Sequence, residues 1–325
     1  MAEKNHGKLL TKTPVVCLLA LLCCFLWGSA FPGIKIGYRL MQIASGDSAS
    51  QIFYAGLRFT LAGILVILAG SISERRLLVP GVKTIPKILL LAAFQTYGQY
   101  LFFYIGLAHA PGVRASILEG VSSFVAILVA ACVFRMEKLT GRKITGCLLG
   151  FAGVVIISLA GGAASAGFSF TGEGFILIST VMYALSSAMI KLFSEHEDPV
   201  LLSGWQFLVG GIALTLSGAA AGGRTGTFTG QGLALLLYLA FLSAAAYTIW
   251  GILLKYNPVS RVTIFGFANP VFGALLSAAL LGEGSFLNGR SVAALALVCA
   301  GIAVVNAPEN SRIRRTFCTI HRNME

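Results

Sequence analysis

The chain has 325 residues, 57% of them hydrophobic and only 11% charged, with a net charge of +12 and a mean hydropathy of +0.85. Soluble domains carry about 25% charged residues, so this supply is too small to cover a water-facing surface, and the composition excludes an ordinary soluble enzyme or nucleic-acid-binding domain. Seven cysteines, six of them inside apolar runs, show no Cys-x-x-Cys pair or metal-ligand spacing, and all four histidines fall outside the apolar runs, so neither a disulfide framework nor a metal centre is expected.

A membrane span takes about 20 mostly apolar residues. On that ruler the sequence predicts ten helices, over 14–38, 51–71, 86–107, 112–134, 143–160, 173–193, 200–220, 232–255, 259–281 and 290–306. Pro14, Pro86, Pro111, Pro199 and Pro258 stand at the proposed first turns, where a missing N–H costs nothing. The first run follows Lys8 and Lys12 as a secretory leader would, but it is too long for one and lacks a clear cleavage site, so it is read as a helix. Eighteen of the 24 lysines and arginines fall on the side of the N-terminus. Arg39, Arg114, Arg224 and Arg290 fall opposite, and Lys35 and Arg58 lie inside spans. By the positive-inside rule this puts both termini in the cytoplasm, explains the net charge without nucleic acid, and assigns the basic residues to topology and anionic lipid headgroups.

An internal repeat organises the spans. Tyr100, Pro111 and Arg114 recur 147 positions later as Tyr247, Pro258 and Arg261; Phe59 recurs 148 later as Phe207, and Glu137 recurs 146 later as Glu283. Trp27 and Lys35 keep the same separation as Tyr183 and Lys191. Helix one thus pairs with six, and so on to five with ten. Five is odd, so the second copy enters the membrane from the other side, an arrangement that places a solute site near the midplane between halves. The expected fold is an all-α membrane protein of ten transmembrane helices in two inverted five-helix repeats: an N-terminal tail (1–13), a first unit (14–160), an external linker (161–172), a second unit (173–306) and a basic tail (307–325).

Several motifs resemble those of the EamA family of the drug/metabolite transporter superfamily. Trp27-Gly28-Ser29-Ala30-Phe31-Pro32 with Lys35 resembles the first-helix signature, and Arg58-Phe59 the second-helix one. Phe134-Arg135-Met136-Glu137-Lys138-Leu139, followed by Gly146, Gly150 and Gly153, resembles the acidic turn and glycine-rich helix that close each unit; Leu281-Gly282-Glu283 with Gly301 resembles the second copy, although Gly284 stands where that turn would have its basic residue. The resemblance implies ten helices, cytoplasmic termini, a central cavity and alternating access, with export of amino acids, metabolites or toxic organics as the commoner direction.

Charges inside a bilayer are costly and need a reason. Glu119 is read as the one acid inside a span, at a depth similar to Arg58 on the same side. Three readings stand: a proton-coupling or cation-contacting group, an ion pair with Arg58 that fixes packing, or a minor role in the external vestibule. The second half has Gln206 and Gly266 in their places, which fits the ion pair. Lys35 and Lys191 lie near opposite faces, where they either snorkel to headgroups or act at the entrances. Candidate solute-binding residues are Trp27, Ser29, Gln95, Gln99, Tyr100, Ser123, Tyr183, Ser187, Tyr247, Trp250 and Asn269, the last beside Pro270, whose ring frees a carbonyl. Gly33/Gly37, Gly146/Gly150 and Gly218/Gly222 form small-xxx-small pairs, and helices five and ten are read as a packing or homodimer face. The leading function is a secondary transporter, favouring export, of a small organic metabolite, amino acid or drug-like compound in the cell membrane. It needs no cofactor or metal and has the bilayer, a small solute and a proton or other coupling ion as partners. The competing class is a membrane-embedded enzyme or lipid-handling protein, which would need clustered carboxylates, histidines or a nucleophile–base pair at depth.

Overall fold

A computed structural model describes residues 8–44, 46–110, 112–160, 168–226, 229–281 and 289–307. Among these residues the secondary structure is helical and contains no strand. We group it into ten stretches. These are α1 (Thr13–Leu40), α2 (Ser48–Glu74), α3 (Ile85–Leu91 and Gln99–His109, joined by a π-helical Ala92–Gly98), α4 (Gly112–Leu128, ending in a π turn, Val129–Val133) and α5 (Gly141–Ala160). There follow α6 (a π turn, Phe170–Gly174, then Phe175–Phe193), α7 (Pro199–Ala220), α8 (Gly230–Tyr256), α9 (Val259–Thr263, a 3-10 turn Ile264–Phe267, and Ala268–Leu281) and α10 (Gly289–Asn306). Six of them (α1, α2, α3, α6, α7 and α8) are long and apolar enough to cross a membrane, and shorter apolar helices run over Leu118–Val133 and Val292–Asn306. Pro111, Gly282-Glu283, most of the 161–172 linker and the far parts of both tails lie outside the described residues.

Local chemistry sets the starts. Pro14, Pro86 and Pro199 occupy the first turns of α1, α3 and α7. The Asp47, Asp198, Thr229 and Ser169 side chains accept backbone N–H groups at the heads of α2, α7, α8 and α6, filling donors that have no partner within the helix. Large apolar side chains such as Leu18, Leu148, Leu216 and Phe241 are more than half exposed, the surface expected of a chain solvated by lipid.

The tightest contact is between α2 and α7. Glycines recur every seven residues on both: Gly56, Gly63 and Gly70 on α2, and Gly204, Gly211 and Gly218 on α7. A Cβ at Gly56 would collide with the Thr215 backbone, at Gly63 with Leu208, at Gly211 with Thr60 and at Gly218 with Phe53. Contacts that climb one helix descend the other, so the two run antiparallel with their backbones nearly touching. Apolar side chains gain nothing by leaving lipid for one another, so close packing has to supply the attraction, and small residues permit it.

The α5–α10 pair is built the same way. Gly146 lies against the Gly301 carbonyl and Val305, and Gly153 against the Ala294 carbonyl and Val298, again antiparallel. These two helices pack on one another within the chain. Gly33 and Gly37 face Leu239 and Tyr54. Gly222 is not a packing partner of Gly218: it lies beyond α7 in a turn with φ of 87°.

The remaining contacts follow a regular scheme: α1 packs on α8 and α9, and α6 packs on α3 and α4. Advancing each helix by five positions turns the first set into the second and returns α2–α7 and α5–α10 to themselves.

Two predictions follow from this packing. Gly63→Ala should lower the thermal unfolding temperature of the detergent-solubilised protein by the equivalent of about 1–3 kcal/mol of overpacking. Gly141→Ala, where a Cβ meets nothing within 4 Å, should leave it within error; equal effects would remove the close-approach account. The second concerns the α6–α7 turn, where Glu197 accepts from Lys87 Nζ at 2.7 Å and Thr84 Oγ1 at 3.0 Å at the head of α3. The Lys87 contact holds the Glu197 carboxyl below its ordinary value of 4.5. A depressed folded-state value contributes stability above the unfolded value and loses it as pH falls through the folded one. Unfolding temperature should therefore drop as the medium is acidified below about pH 4.5, and Glu197→Gln should flatten that part of the curve.

Candidate functional site

The interior between the two halves is an aromatic layer. The Tyr100 and Tyr247 hydroxyls are hydrogen-bonded at 2.5 Å, and Phe59 stacks on Phe207 with ring centroids 5.5 Å apart. Each of these pairs joins positions that the sequence repeat makes equivalent. Around them Phe59 packs on Tyr100 at 4.4 Å in a tilted arrangement, and Phe207 meets Tyr247 edge-to-face at 5.1 Å. Trp27 of α1 meets both Tyr247 and Trp250 edge-on at 4.9 Å. Tyr183, its counterpart on α6, is within electrostatic range of Tyr100. Five of the proposed solute-binding residues, Trp27, Tyr100, Tyr183, Tyr247 and Trp250, are thus drawn into one layer by four helices. Phe59 and Phe207 complete it and were not among the candidates; their recurrence at nearly the same offset as Tyr100 and Tyr247 was the available signal.

Buried polar atoms without partners accompany the layer. Trp27 Nε1 and Trp250 Nε1 are donors, and Gln95 Oε1, Gln99 Oε1 and Asn269 Oδ1 are acceptors, with no hydrogen bond among the described residues. Each such atom costs about 1–3 kcal/mol in a folded core, and in natural proteins each calls for a reason. The placement of the three acceptors coincides with the breaks in helical regularity. Gln95 lies in the π segment of α3 and Gln99 just after it. Asn269 opens the second part of α9 after the 3-10 turn, next to Pro270, which gives no N–H to the Gly266 carbonyl. π-helical turns inside α-helices recur at functional sites. The sequence predicted regular helices here, because hydrophobic periodicity does not resolve a single widened turn.

Other candidates lie apart or serve packing. Ser29 Oγ donates to the Leu26 carbonyl and is bonded to Tyr238 Oη, both at 2.7 Å, on the outer side of α8. Ser123 is buried against Gly266, where a Cβ would come within 2.5 Å of its Oγ. Ser187 bonds back to the Tyr183 carbonyl at 2.9 Å. Lys191 Nζ donates to the Leu254 and Asn257 carbonyls at 3.0 and 2.6 Å, capping the end of α8, so it is engaged rather than snorkelling freely. Lys35 is exposed and makes contacts of its own.

Arg58 and Glu119 do not form an ion pair in this structure. Arg58 is 3% exposed; its Nε donates to Ser243 Oγ at 2.8 Å and to the Leu239 carbonyl at 3.2 Å, and its guanidinium lies 5.1 Å from the centre of the Phe59 ring. At the pseudo-symmetric place Gln206 accepts from Thr96 Oγ1 at 2.6 Å, a neutral version of the same contact. Glu119 is half-buried and within electrostatic range of Tyr104 and Tyr247. It is not the only acid in the helices: Glu173, 4% exposed at the head of α6, accepts from the Ser169 N–H at 2.8 Å. Glu137 of the acidic turn accepts from Ser260 N at 2.8 Å and Ser260 Oγ at 2.6 Å, and pairs with Lys143 at 2.8 Å. It thereby caps α9 from another part of the chain.

Tyr100→Phe should cost about 1–3 kcal/mol of stability by leaving the Tyr247 hydroxyl without its partner. Adding Tyr247→Phe should recover most of that loss, since the two side chains are coupled. Additive losses in thermal unfolding would show that the hydroxyls do not depend on one another.

Comparison with known proteins agrees with this geometry. The sequence profile of the EamA-like transporter family matches residues 15–159 and again 170–307. An uncharacterized transporter of Archaeoglobus fulgidus is 28% identical over 296 residues, 89% of this chain and 97% of its own. A protein of Salmonella typhimurium named as a probable amino-acid metabolite efflux pump is 30% identical over 315 residues, 92% and 96% of the two chains. A probable terminal-alkyne amino-acid exporter of Streptantibioticus cattleyicolor is 25% identical over 265 residues, 79% and 82% of the two. A crystal structure at 19% identity superposes with a TM-score of 0.74 over 90% of this chain and 96% of its own, and shares the fold.

Proposed function

The chain belongs to the EamA-like transporter family, and we propose that it is a secondary active transporter that exports a small organic solute by alternating access about the Tyr100–Tyr247 layer. The observation that carries this reading is that the layer joins equivalent residues of two sequence copies while holding buried donors and acceptors with nothing to bond. Inverted repeats place solute sites at the midplane on their common axis. In this reading ten helices cross the cell membrane as two inverted units, 14–160 and 173–306, with both termini in the cytoplasm. The antiparallel α2–α7 and α5–α10 pairs support it, because equivalent helices of inverted units have to run in opposite directions. So does the family profile, which matches the chain twice.

The solute class follows from the lining. Indole N–H groups offer donors and the amides of Gln95, Gln99 and Asn269 offer acceptors, between aromatic faces that stack on planar groups or hold cations. A small molecule with both N–H and carbonyl or carboxylate functions complements that set, and amino-acid metabolites are the simplest such molecules. Two of the similar proteins carry names of that kind. Glu119, half-buried and without a hydrogen bond or ion pair among the described residues, is the group we assign to coupling transport to protons or to meeting a cationic solute.

Purified protein in proteoliposomes, offered amino acids, organic cations and metabolites with and without a pH gradient, tests the proposal. Gradient-dependent movement of at least one solute is expected, and Glu119→Gln should abolish the response to the gradient while leaving exchange of the same solute. Full gradient-driven transport by that variant would remove Glu119 from the coupling role, and no movement of any solute would remove the transporter reading.

A further inference from the structure

A repeat preserves what the fold needs twice, so residues that converge in one half and are missing from the equivalent place in the other are there for something else. Tyr38 of α1, Tyr54 and Arg58 of α2 and Tyr104 of α3 form such a group. Tyr38 and Tyr54 meet edge-on with centroids 5.8 Å apart, and the Arg58 guanidinium is within electrostatic range of all three phenols. Tyr54 is 1% exposed, Tyr104 2% and Arg58 3%. The equivalent positions of the second half hold Ser194, Leu202, Gln206 and Gly251. Three phenols and a cation are thus replaced by one hydroxyl, an apolar side chain, a neutral amide and a glycine, while the aromatic layer beside them keeps its symmetry.

The group is electrically incomplete. A cation inside a bilayer protein needs a counter-charge or a water-filled space, and no carboxylate lies within ion-pair distance of Arg58 among the described residues. Its Nε contacts are to a carbonyl and a hydroxyl, which orient it without neutralising it. The Tyr54 hydroxyl is buried with no hydrogen-bond partner, the Tyr38 hydroxyl lies beside that of Tyr104, and a phenol is a good donor. A guanidinium with an unpartnered phenol donor and two further phenols beside it is a donor set that a carboxylate fills, since hydrogen bonds to an ionised acceptor are the stronger kind.

We propose that Arg58, Tyr38, Tyr54 and Tyr104 form a carboxylate-binding site in the first half of the molecule, set off from the twofold aromatic layer and absent from the second half. It receives the acidic group of the solute and makes a symmetric scaffold chemically one-sided. This deepens the transporter reading and rests on it for the identity of the ligand, but binding itself is measurable without transport.

The test is equilibrium binding to the full-length protein in detergent, by titration calorimetry and by the shift in unfolding temperature. The probes are benzoate and its neutral isostere benzamide, and acetate and acetamide. The carboxylates should bind saturably and the amides at least about tenfold more weakly, the scale of one charge-assisted hydrogen bond. Arg58→Gln, which installs the second half's residue, should reduce carboxylate affinity by at least that factor. Tyr54→Phe, which removes only a hydroxyl without a partner, should reduce it about three- to tenfold with no fall in unfolding temperature, so a folding defect in the arginine variant does not blur the result. Equal binding of acid and amide, unchanged carboxylate affinity in Tyr54→Phe, or no carboxylate binding at all would overturn the site. In the same preparations, carboxylate binding without transport of any solute sinks the transporter reading and leaves the site; transport with no dependence on the solute's carboxylate sinks the site and leaves the transporter.

Discussion

The backbone-to-backbone contact of α2 with α7 is the constraint on which the rest of the interior is built. Glycines at a seven-residue spacing on each helix bring the main chains together, and Phe59 of one helix stacks on Phe207 of the other. That stack packs against Tyr100 and Tyr247, which close the layer through their hydroxyls. A larger side chain at a contact glycine would push the helices apart and open the layer from its centre. In lipid nothing else restores it, because apolar side chains are as well solvated by acyl chains as by each other.

A scaffold with twofold symmetry has no preferred direction by itself. What breaks the symmetry here is polar and local. The contact of Arg58 with Ser243 and that of Gln206 with Thr96 occupy equivalent places, yet one carries a full charge and the other does not. Glu119 faces Gly266 across the same relation. The two halves share a shape and differ in electrostatics, which is the combination that lets one interior present different chemistry toward its two sides.

The turn between α8 and α9 is held by a second polar set at some distance from the layer. Lys191 caps the last carbonyls of α8, Glu137 caps the first N–H groups of α9, and Asn257 and Arg261 reach Leu10 and Thr13 at the head of α1. Elements from both halves therefore converge on one short turn. Glu137 belongs to the acidic turn that the sequence made conspicuous, and its work is done on a helix more than 120 residues away.

Much of the molecule was legible in the sequence. Composition excluded a soluble protein because surface charge is a supply that can be counted, and helix positions followed from apolar length and from prolines at first turns, which act locally. The repeat offset of Tyr100 to Tyr247 identified a pair that the structure joins, since residues on a twofold axis meet their own copies. Tertiary structure alone decided the rest. The π segment holding Gln95, the stack of Phe59 on Phe207, the capping of α8 by Lys191 and the separation of Arg58 from Glu119 each depend on how helices rotate and approach. One turn of helix register moves a side chain from a partner to empty space, and no periodicity in a single chain fixes that rotation. Spacing in the sequence determined which residues are equivalent; only packing determined which of them touch.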